Sequence, residues 1–255
     1  MTFIKDFKNS LRVKYLRKIR YYSQNKFPKI NKILRILKNK DKFNFEGWNM
    51  HLKSHSPWQF NNKNRVNETF QSIENDINDL IKENKFELTQ FKNSHDIFDV
   101  LKQLRWRHYL VSYTSSLANK ITKSKTLVEC GVADGLTMFY AIMSFNDESS
   151  KSYLYDSWSG MRKEDLIDGK EKNLEGAWSH LELPITKKNL EKFGKQVTFN
   201  QGYIPEVFKN SDNPNEISWL HIDLNSSKPT LEALNFFYPK IEDLGIILFD
   251  DYAWP

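Results

Sequence analysis

The chain has 255 residues, which is enough for one large domain or for one domain with an appended segment. Hydrophobic residues make up 39% of the sequence and aromatic residues 14%, so we expect a folded core, and no apolar run reaches the roughly 18 residues of a membrane span. Cys130 is the single cysteine, which excludes an intramolecular disulfide, and the N-terminus lacks the pattern of a secretory signal. These features predict a cytoplasmic protein.

The net charge of +6 is concentrated at the N-terminus. Residues 1–40 hold thirteen Lys and Arg residues and one acid, whereas the rest of the chain is net acidic. Apolar residues recur at helical spacing between basic ones over 29–40, which predicts a basic amphipathic helix. We favour packing of this arm on its own domain or on a second subunit. Peripheral contact with an anionic membrane is the alternative, and nucleic acid is a disfavoured partner.

The next part of the chain, residues 41–104, is predicted to be a loop or lid followed by helical segments. Residues 41–66 show no sustained period, whereas apolar residues recur at helical spacing from Asn67 and again from Asp96 through Ile121. We therefore divide the chain into a basic arm (1–40), a lid and helical segment (41–104) and a third domain (105–255).

Residues 126–145 have the pattern that opens a Rossmann-like sheet: a strand over 126–130, a glycine turn over 131–135 and a helix over 136–145. Gly131 would let the backbone approach a ligand closely, and Gly135 would open the helix without a side chain in the way. Glu129, at the end of the strand, suits a cationic ammonium better than the pyrophosphate of a nicotinamide dinucleotide. An ordinary strand-to-helix turn remains the alternative interpretation.

A second predicted strand, at 152–155, ends in Asp156, one βαβ interval after Glu129. An acid at this point can accept hydrogen bonds from both hydroxyls of a ribose, as in nicotinamide dinucleotide and S-adenosylmethionine sites. The alternative is an aspartate that caps the turn before Ser157.

Three further strands are predicted at 197–200, 217–222 and 244–249, with helices near 205–209 and 229–238. Polar residues follow each strand: Gln201 and Gly202 after the third, Asp223 and Asn225 after the fourth, Asp250 and Asp251 after the fifth. Ligands bind at the carboxyl ends of the strands in open α/β sheets, so we expect these side chains to converge, with Gln201 and Gly202 near an adenine. The pattern predicts a Rossmann-like, doubly wound, mostly parallel α/β sheet with an N-terminal helical extension.

Four segments, in this order, resemble the macrocin O-methyltransferase family of class I methyltransferases: 128–135 (VECGVADG), 155–160 (YDSWSG), 221–225 (HIDLN) and 249–252 (FDDY). The resemblance implies an S-adenosylmethionine-dependent O-methyltransferase that self-associates and acts on a sugar hydroxyl of a natural product or glycan. It implies that the cofactor is held by Glu129, Gly131, Gly135, Asp156 and Ser157. It also implies that Asp223, Asp250 and Asp251 hold Mg²⁺.

The chemistry of three converging carboxylates agrees with that implication, because their repulsion must be relieved by a hard divalent cation or by a raised pKa. Such a cation could orient a substrate hydroxyl for attack on the sulfonium methyl group, with Asp223 or His221 taking the proton. Two alternatives stay open. Asp250 and Asp251 could cap a helix or form salt bridges to Lys or Arg, and His221 could be a buried core histidine.

The family pattern continues beyond the Asp-Asp-Tyr segment with a helix and two more strands, whereas this sequence stops at Pro255, so we expect a sheet truncated after its fifth strand. The alternative function is therefore a catalytically weak or inactive cofactor-binding scaffold, tethered by the basic arm. Asn225 also stands where the family pattern has a second aspartate. Five tryptophans are candidates to stack on a sugar ring: Trp48, Trp58, Trp106, Trp158 and Trp178.

Overall fold

The structure, a computed structural model, describes residues 68–91, 96–167, 169 and 171–250. The predicted basic arm, the lid over 41–66 with Trp48 and Trp58, and Asp251 lie outside the described residues. The predictions for these parts of the chain stay predictions.

The central sheet consists of β1 (Thr126–Cys130), β2 (Lys151–Asp156), β3 (Val197–Gln201), β4 (Ile217–Ile222) and β5 (Ile241–Phe249). The strand order is β3-β2-β1-β4-β5, and every neighbouring pair is parallel. The chain therefore adds strands on one side of β1 and then on the other, which creates a switch point between β1 and β4 where ligands bind in this architecture. The predicted Rossmann-like α/β fold is confirmed, and its described strands are all parallel.

The described α-helices are α1 (Glu68–Lys82), α2 (Ile97–Ile121), α3 (Leu136–Phe145), α4 (Leu183–Asn189) and α5 (Ser227–Phe237). The side chain of Asp96 caps α2 by accepting a hydrogen bond from the amide of Phe98 at 2.9 Å. Nearly every residue of α3 is buried, as its apolar sequence requires. Among the described helices, none combines the length and apolar character needed to cross a membrane.

Two apolar clusters cover the two faces of the sheet. The first joins α1, α2 and α3 to the sheet and includes Phe70, Val111, Leu127, Phe139 and Trp219. The second lies under α5 and includes Val128, Cys130, Tyr155, Phe208 and Phe237. Because α2 runs without a break across the predicted boundary at 104 and 105, the described helices and the sheet share one packed unit.

The fifth strand begins earlier than the sequence predicts. It starts at Ile241 rather than Leu244, although Glu242 and Asp243 interrupt the apolar run. The register with β4 shifts between the pairs Ile217–Ile241 and Trp219–Ile246, and Leu244 has a φ of 67°. An irregularity of this kind allows polar residues within a strand without ending the strand. The irregular part does not follow the sequence pattern that predicts a strand.

Candidate functional site

A cavity opens at the carboxyl ends of the strands, around the switch point between β1 and β4. It contains about 790 Å³ of space, part of it open to solvent. Five of the predicted site residues line it: Gly131, Asp156, Ser157, Gly202 and Asp223. The predicted convergence at this edge of the sheet is therefore observed for these residues, while their roles toward a ligand stay predictions.

Gly131 is the point where the glycine turn (residues 131–135) passes closest to β4. Its φ is +84°, and a Cβ atom there would lie 1.8 Å from the carbonyl oxygen of Asp223. Its amide donates to the carbonyl of Tyr155 at 2.8 Å, and the amide of Asp223 donates to the carbonyl of Cys130 at 2.8 Å. Only glycine fits this position, because a side chain would collide with the end of β4.

Asp156 links the end of β2 to the glycine turn. Its Oδ2 atom accepts hydrogen bonds from the amides of Val132 at 2.6 Å and Ala133 at 2.9 Å, and its Oδ1 atom accepts from the amide of Trp158 at 2.7 Å. Burial raises the pKa of the Asp156 carboxyl, although these hydrogen bonds oppose the shift. The carboxylate thus makes the turn-capping contacts of the alternative interpretation, and it also lines the cavity.

The other predicted cofactor residues near this edge differ in placement. The amide of Gly202 donates to the carbonyl of Asp156 at 2.9 Å, so Gly202 closes the cavity beside Ser157. Gly135 faces Leu190, whose Cδ1 atom would lie 3.0 Å from an added Cβ, and it is not a lining residue. Gln201 is exposed and does not line the cavity either.

Glu129 and His221 form a pair that is buried beneath α2. Their side chains are about 1% and 0% exposed, and His221 Nδ1 lies 2.9 Å from Glu129 Oε1 in a hydrogen bond. Burial lowers the pKa of His221 to about 3 and raises the pKa of the Glu129 carboxyl well above its usual range. Neither residue lines the cavity. The structure thus matches the alternative of a buried core histidine, and the cofactor role of Glu129 and the catalytic role of His221 stay predictions without positional support.

Arg107, which the sequence interpretation missed, extends from α2 to the ends of β4 and β5. Its Nη2 atom donates to Asp223 Oδ2, and its Nη1 atom lies 3.1 Å from Asp250 Oδ2. Burial opposes the charge of the guanidinium, but the carboxylates of Asp223 and Asp250 outweigh this effect and raise the pKa of Arg107. The two predicted carboxylates therefore do converge, and Asp250 makes the salt bridge to a basic residue that was the alternative to metal binding.

The predicted magnesium site does not fit the side chains that the structure describes. Within those residues, no group of three or more His, Cys, Asp or Glu side chains is arranged to hold a metal ion. Asp223 and Asp250 are both engaged by Arg107, and Asp251 lies outside the described residues. Magnesium binding by these residues therefore stays a prediction that the observed contacts disfavour.

A second, smaller cavity of about 320 Å³ lies between α2 and the glycine turn, and Gly131 and Asp223 line both cavities. Arg107 and His108 form part of its wall. The His108 ring stacks on Tyr140 with 4.7 Å between centroids, and burial lowers the pKa of His108 to about 3. Both residues come from a helix whose sequence shows only an apolar period, so no local signal marks them.

The segment before α2 is held against the glycine turn by two polar side chains. Asp134 accepts hydrogen bonds from Thr89 Oγ1 at 2.6 Å and from the amide of Gln90 at 2.8 Å. Asn189, at the end of α4, bonds to the amide and carbonyl of Glu87 and to the carbonyl of Asp134. These contacts bring Gln90 into the walls of both cavities.

The described tryptophans divide between the core and the cavity. Trp178 lines the larger cavity. Trp158 is 5% exposed, and its Nε1 atom donates to Thr186 Oγ1 and to the carbonyl of Ala133. Trp106 is half-buried on α2 and stacks on Tyr109. Trp178 is therefore the described tryptophan that is placed to contact a ligand.

Residues 128–252 match a family model described as a methyltransferase domain. No curated protein matches the chain. The chain is similar to the solved O-methyltransferase NovP, at 22% identity over 57% of this chain and 64% of that chain, with a TM-score of 0.47. It is similar to the calicheamicin methyltransferase CalS11, at 15% identity over 73% and 77% of the two chains, with a TM-score of 0.51.

These likenesses differ in what they show. The chain spans less than two thirds of NovP, and the likeness to CalS11 shows a shared fold. The family match covers the four segments on which the resemblance to the macrocin family rests, and it supports the broader class of methyltransferase rather than that family in particular. Residues 128–252 therefore match a methyltransferase domain over just under half of the chain, and the described part of the chain shares its Rossmann-like fold with CalS11.

Proposed function

We propose that the chain is an S-adenosylmethionine-dependent O-methyltransferase whose acceptor is a sugar hydroxyl of a natural product or glycan. The observation that carries this proposal is the cavity at the carboxyl ends of the strands, whose lining residues, apart from Gln90, all belong to the segment that matches a methyltransferase domain. In an open α/β sheet this edge is where cofactors bind. CalS11, the neighbour with the same fold, is described as a TDP-rhamnose 3′-O-methyltransferase, and a sugar acceptor is proposed here by analogy.

The cavity provides contacts suited to the cofactor. Asp156 Oδ1 accepts one hydrogen bond, from Trp158, and a carboxylate oxygen can accept a second from a ribose hydroxyl. Gly131 lines the cavity with backbone atoms alone, because it has no side chain. Ser157 and Gly202 form the wall on the β3 side, where we propose that the adenine binds.

We propose that Asp223 accepts the proton of the acceptor hydroxyl, and the support is that it is the described carboxylate that lines both cavities. Its Oδ2 atom is held by Arg107, and its Oδ1 atom accepts a hydrogen bond from Asn225 Nδ2 at 3.3 Å. When bound, the cofactor would supply a methyl group on a positively charged sulfur and leave as S-adenosylhomocysteine, and Asp223 would accept the proton of the acceptor hydroxyl. Trp178 offers a flat apolar face for a sugar ring.

Calorimetric titration with S-adenosylhomocysteine tests the cofactor site. We expect micromolar binding by the wild type, weakened about tenfold or more by Asp156→Asn, because hydrogen bonds to a charged acceptor each contribute about 1.5–3 kcal/mol. Asp147→Asn is the matched control, since Asp147 also caps a local turn, through Ser149, but lies outside the cavity. A folded wild type that binds no S-adenosylhomocysteine would contradict the enzyme proposal and favour the scaffold alternative.

The acceptor class needs a separate measurement. Methyl transfer from isotopically labelled S-adenosylmethionine is followed by mass spectrometry over a panel of nucleotide sugars, free glycans and phenols. We expect product with a sugar-containing acceptor. Transfer to phenols alone would keep the methyltransferase proposal and reject the sugar acceptor.

A further inference from the structure

The cluster of Arg107, Asp223 and Asp250 joins three distant parts of the chain. Arg107 lies on α2, Asp223 directly follows β4 and Asp250 directly follows β5. All three side chains are largely buried, with 16%, 15% and 8% of their surfaces exposed. Asp223 and Asp250 each contact the guanidinium through Oδ2. One cation thus bridges two neighbouring strand ends.

Two ionised carboxylates that lie side by side away from water repel each other and lack solvation, so a nearby positive charge is required to stabilise them. A divalent cation can supply that charge through oxygen ligands. A guanidinium can supply it as well, since its planar fork donates to more than one carboxylate and keeps its charge when buried. Both cations would use the same oxygen atoms, so a metal ion bound there would meet the positive charge of Arg107.

We propose that Arg107 takes the place of a divalent metal ion at this site: it neutralises Asp223 and Asp250, holds Asp223 at the wall of the two cavities, and excludes Mg²⁺. Arg107 is in this sense a positioning residue that acts through Asp223. The consequence for methyl transfer rests on the proposed function. The consequence for metal binding does not, because it depends only on the charges and contacts of these side chains.

Binding of Mn²⁺ to the full chain, followed by electron paramagnetic resonance, tests the proposal directly. We expect no stoichiometric binding by the wild type and a gain of affinity of about tenfold or more in Arg107→Met, because carboxylates freed from a cation become ligands for another. The matched control is Arg105→Met, two residues earlier on α2, which removes an ion pair to Glu74 at 2.6 Å. The control variant should bind Mn²⁺ no better than the wild type.

A second variant separates the gain of a metal site from general disruption. Arg107→Met combined with Asp250→Asn removes one positive and one negative charge, and we expect it to lose the Mn²⁺ affinity that Arg107→Met gains. If Arg107→Met does not fold, Mn²⁺ binding by the wild type tests the proposal without the variant. Its failure to bind millimolar Mn²⁺ upholds the proposal, and one tightly bound ion that Asp223→Asn abolishes overturns it.

Activity gives an independent readout. Where an acceptor is found, we expect chelator-treated wild type to retain its rate of methyl transfer, and a rate restored only by added Mg²⁺ would overturn the proposal. If no acceptor is methylated, the proposed function fails while the Mn²⁺ measurements still decide whether Arg107 replaces a metal ion.

Discussion

Gly131 shows how a single residue is constrained by a strand distant from it in sequence. The sequence interpretation assigned its lack of a side chain to close approach by a ligand. In the structure the closest group is the carbonyl oxygen of Asp223, 1.8 Å from where a Cβ would stand. The glycine is therefore required by the packing of β1 against β4, whether or not a ligand is present.

We expect Gly131→Ala to destabilise the fold far more than Gly176→Ala. Both glycines have a positive φ, +84° and +74°, but a Cβ on Gly176 would meet no atom within 4 Å. Backbone strain alone costs about 1–2 kcal/mol, so Gly176→Ala should lose about that much, and Gly131→Ala about 3 kcal/mol or more because the collision adds to it. Urea denaturation of both variants measures the difference, and equal losses would contradict the steric explanation.

At the scale of elements, α4 is a short helix whose polar side chains organise its surroundings. Thr186 Oγ1 donates to the carbonyl of Ala133 at 2.6 Å, and Asn189 joins Glu87 to the glycine turn. Together with Asp134, these contacts hold residues 87–91 beside both cavities. The position of Gln90 in the cavity wall therefore depends on a helix about a hundred residues later in the chain.

We predict that Asn189→Ala loosens this segment. The substitution removes three hydrogen bonds, two partly buried ones to Glu87 and a buried one to Asp134, and this loss costs about 3 kcal/mol in total. Amide hydrogen exchange over 87–91 should accelerate about tenfold or more. Asn119→Ala, which removes a hydrogen bond to the carbonyl of Phe145 at the other end of α3, should leave exchange over 87–91 unchanged. Unchanged exchange in Asn189→Ala would show that other contacts hold the segment.

At the scale of the whole molecule, the two apolar clusters enclose the sheet and leave its carboxyl edge for the cavities. Polar groups buried on the α2 side, His108 and the Glu129–His221 pair among them, lie close to that edge. Burial shifts the pKa of each of these groups away from its ordinary value. The stability of the fold should therefore depend on pH.

We expect His108→Phe to reduce the loss of stability in acid while keeping the ring stack on Tyr140. Burial first, and then the charges of Arg107 and His221, lower the pKa of His108 to about 3. Between that value and the ordinary histidine pKa of about 6.5, the unfolded chain binds a proton that the folded chain does not, so stability falls as the pH falls. From pH 7.5 to 5, the wild type should lose about 2 kcal/mol more than the variant.

The measurement is the free energy of unfolding in urea at several pH values. Glu129 has a raised pKa and acts in the opposite direction, but it is present in both proteins and cancels in the comparison. Parallel pH profiles for the wild type and His108→Phe would contradict the prediction.

Much of the fold was predictable because the signals for it are local. The strand over 126–130 and the helix over 136–145 are found at the predicted residues, since the apolar pattern of a strand or a helix is visible within a short segment of sequence. The start of β5 was not predicted, because Glu242 and Asp243 interrupt the apolar run by which the strand was recognised. Gly131, Asp156 and Asp223 lie at one cavity because parallel strands bring their carboxyl ends to one edge, while their roles toward a ligand stay predictions.

The sequence by itself determined the order of the elements, the parallel α/β class and the carboxylates at the strand ends, because each follows from residues near one another in the chain. The tertiary structure alone decided which cation meets those carboxylates. Arg107 and Asp223 are 116 positions apart, and no local pattern on α2 distinguishes Arg107 from its other basic residues. The tertiary structure also decided that the Glu129 side chain lies in the layer beneath α2 rather than in the cavity. The surroundings of a strand side chain depend on which helices pack against its face of the sheet.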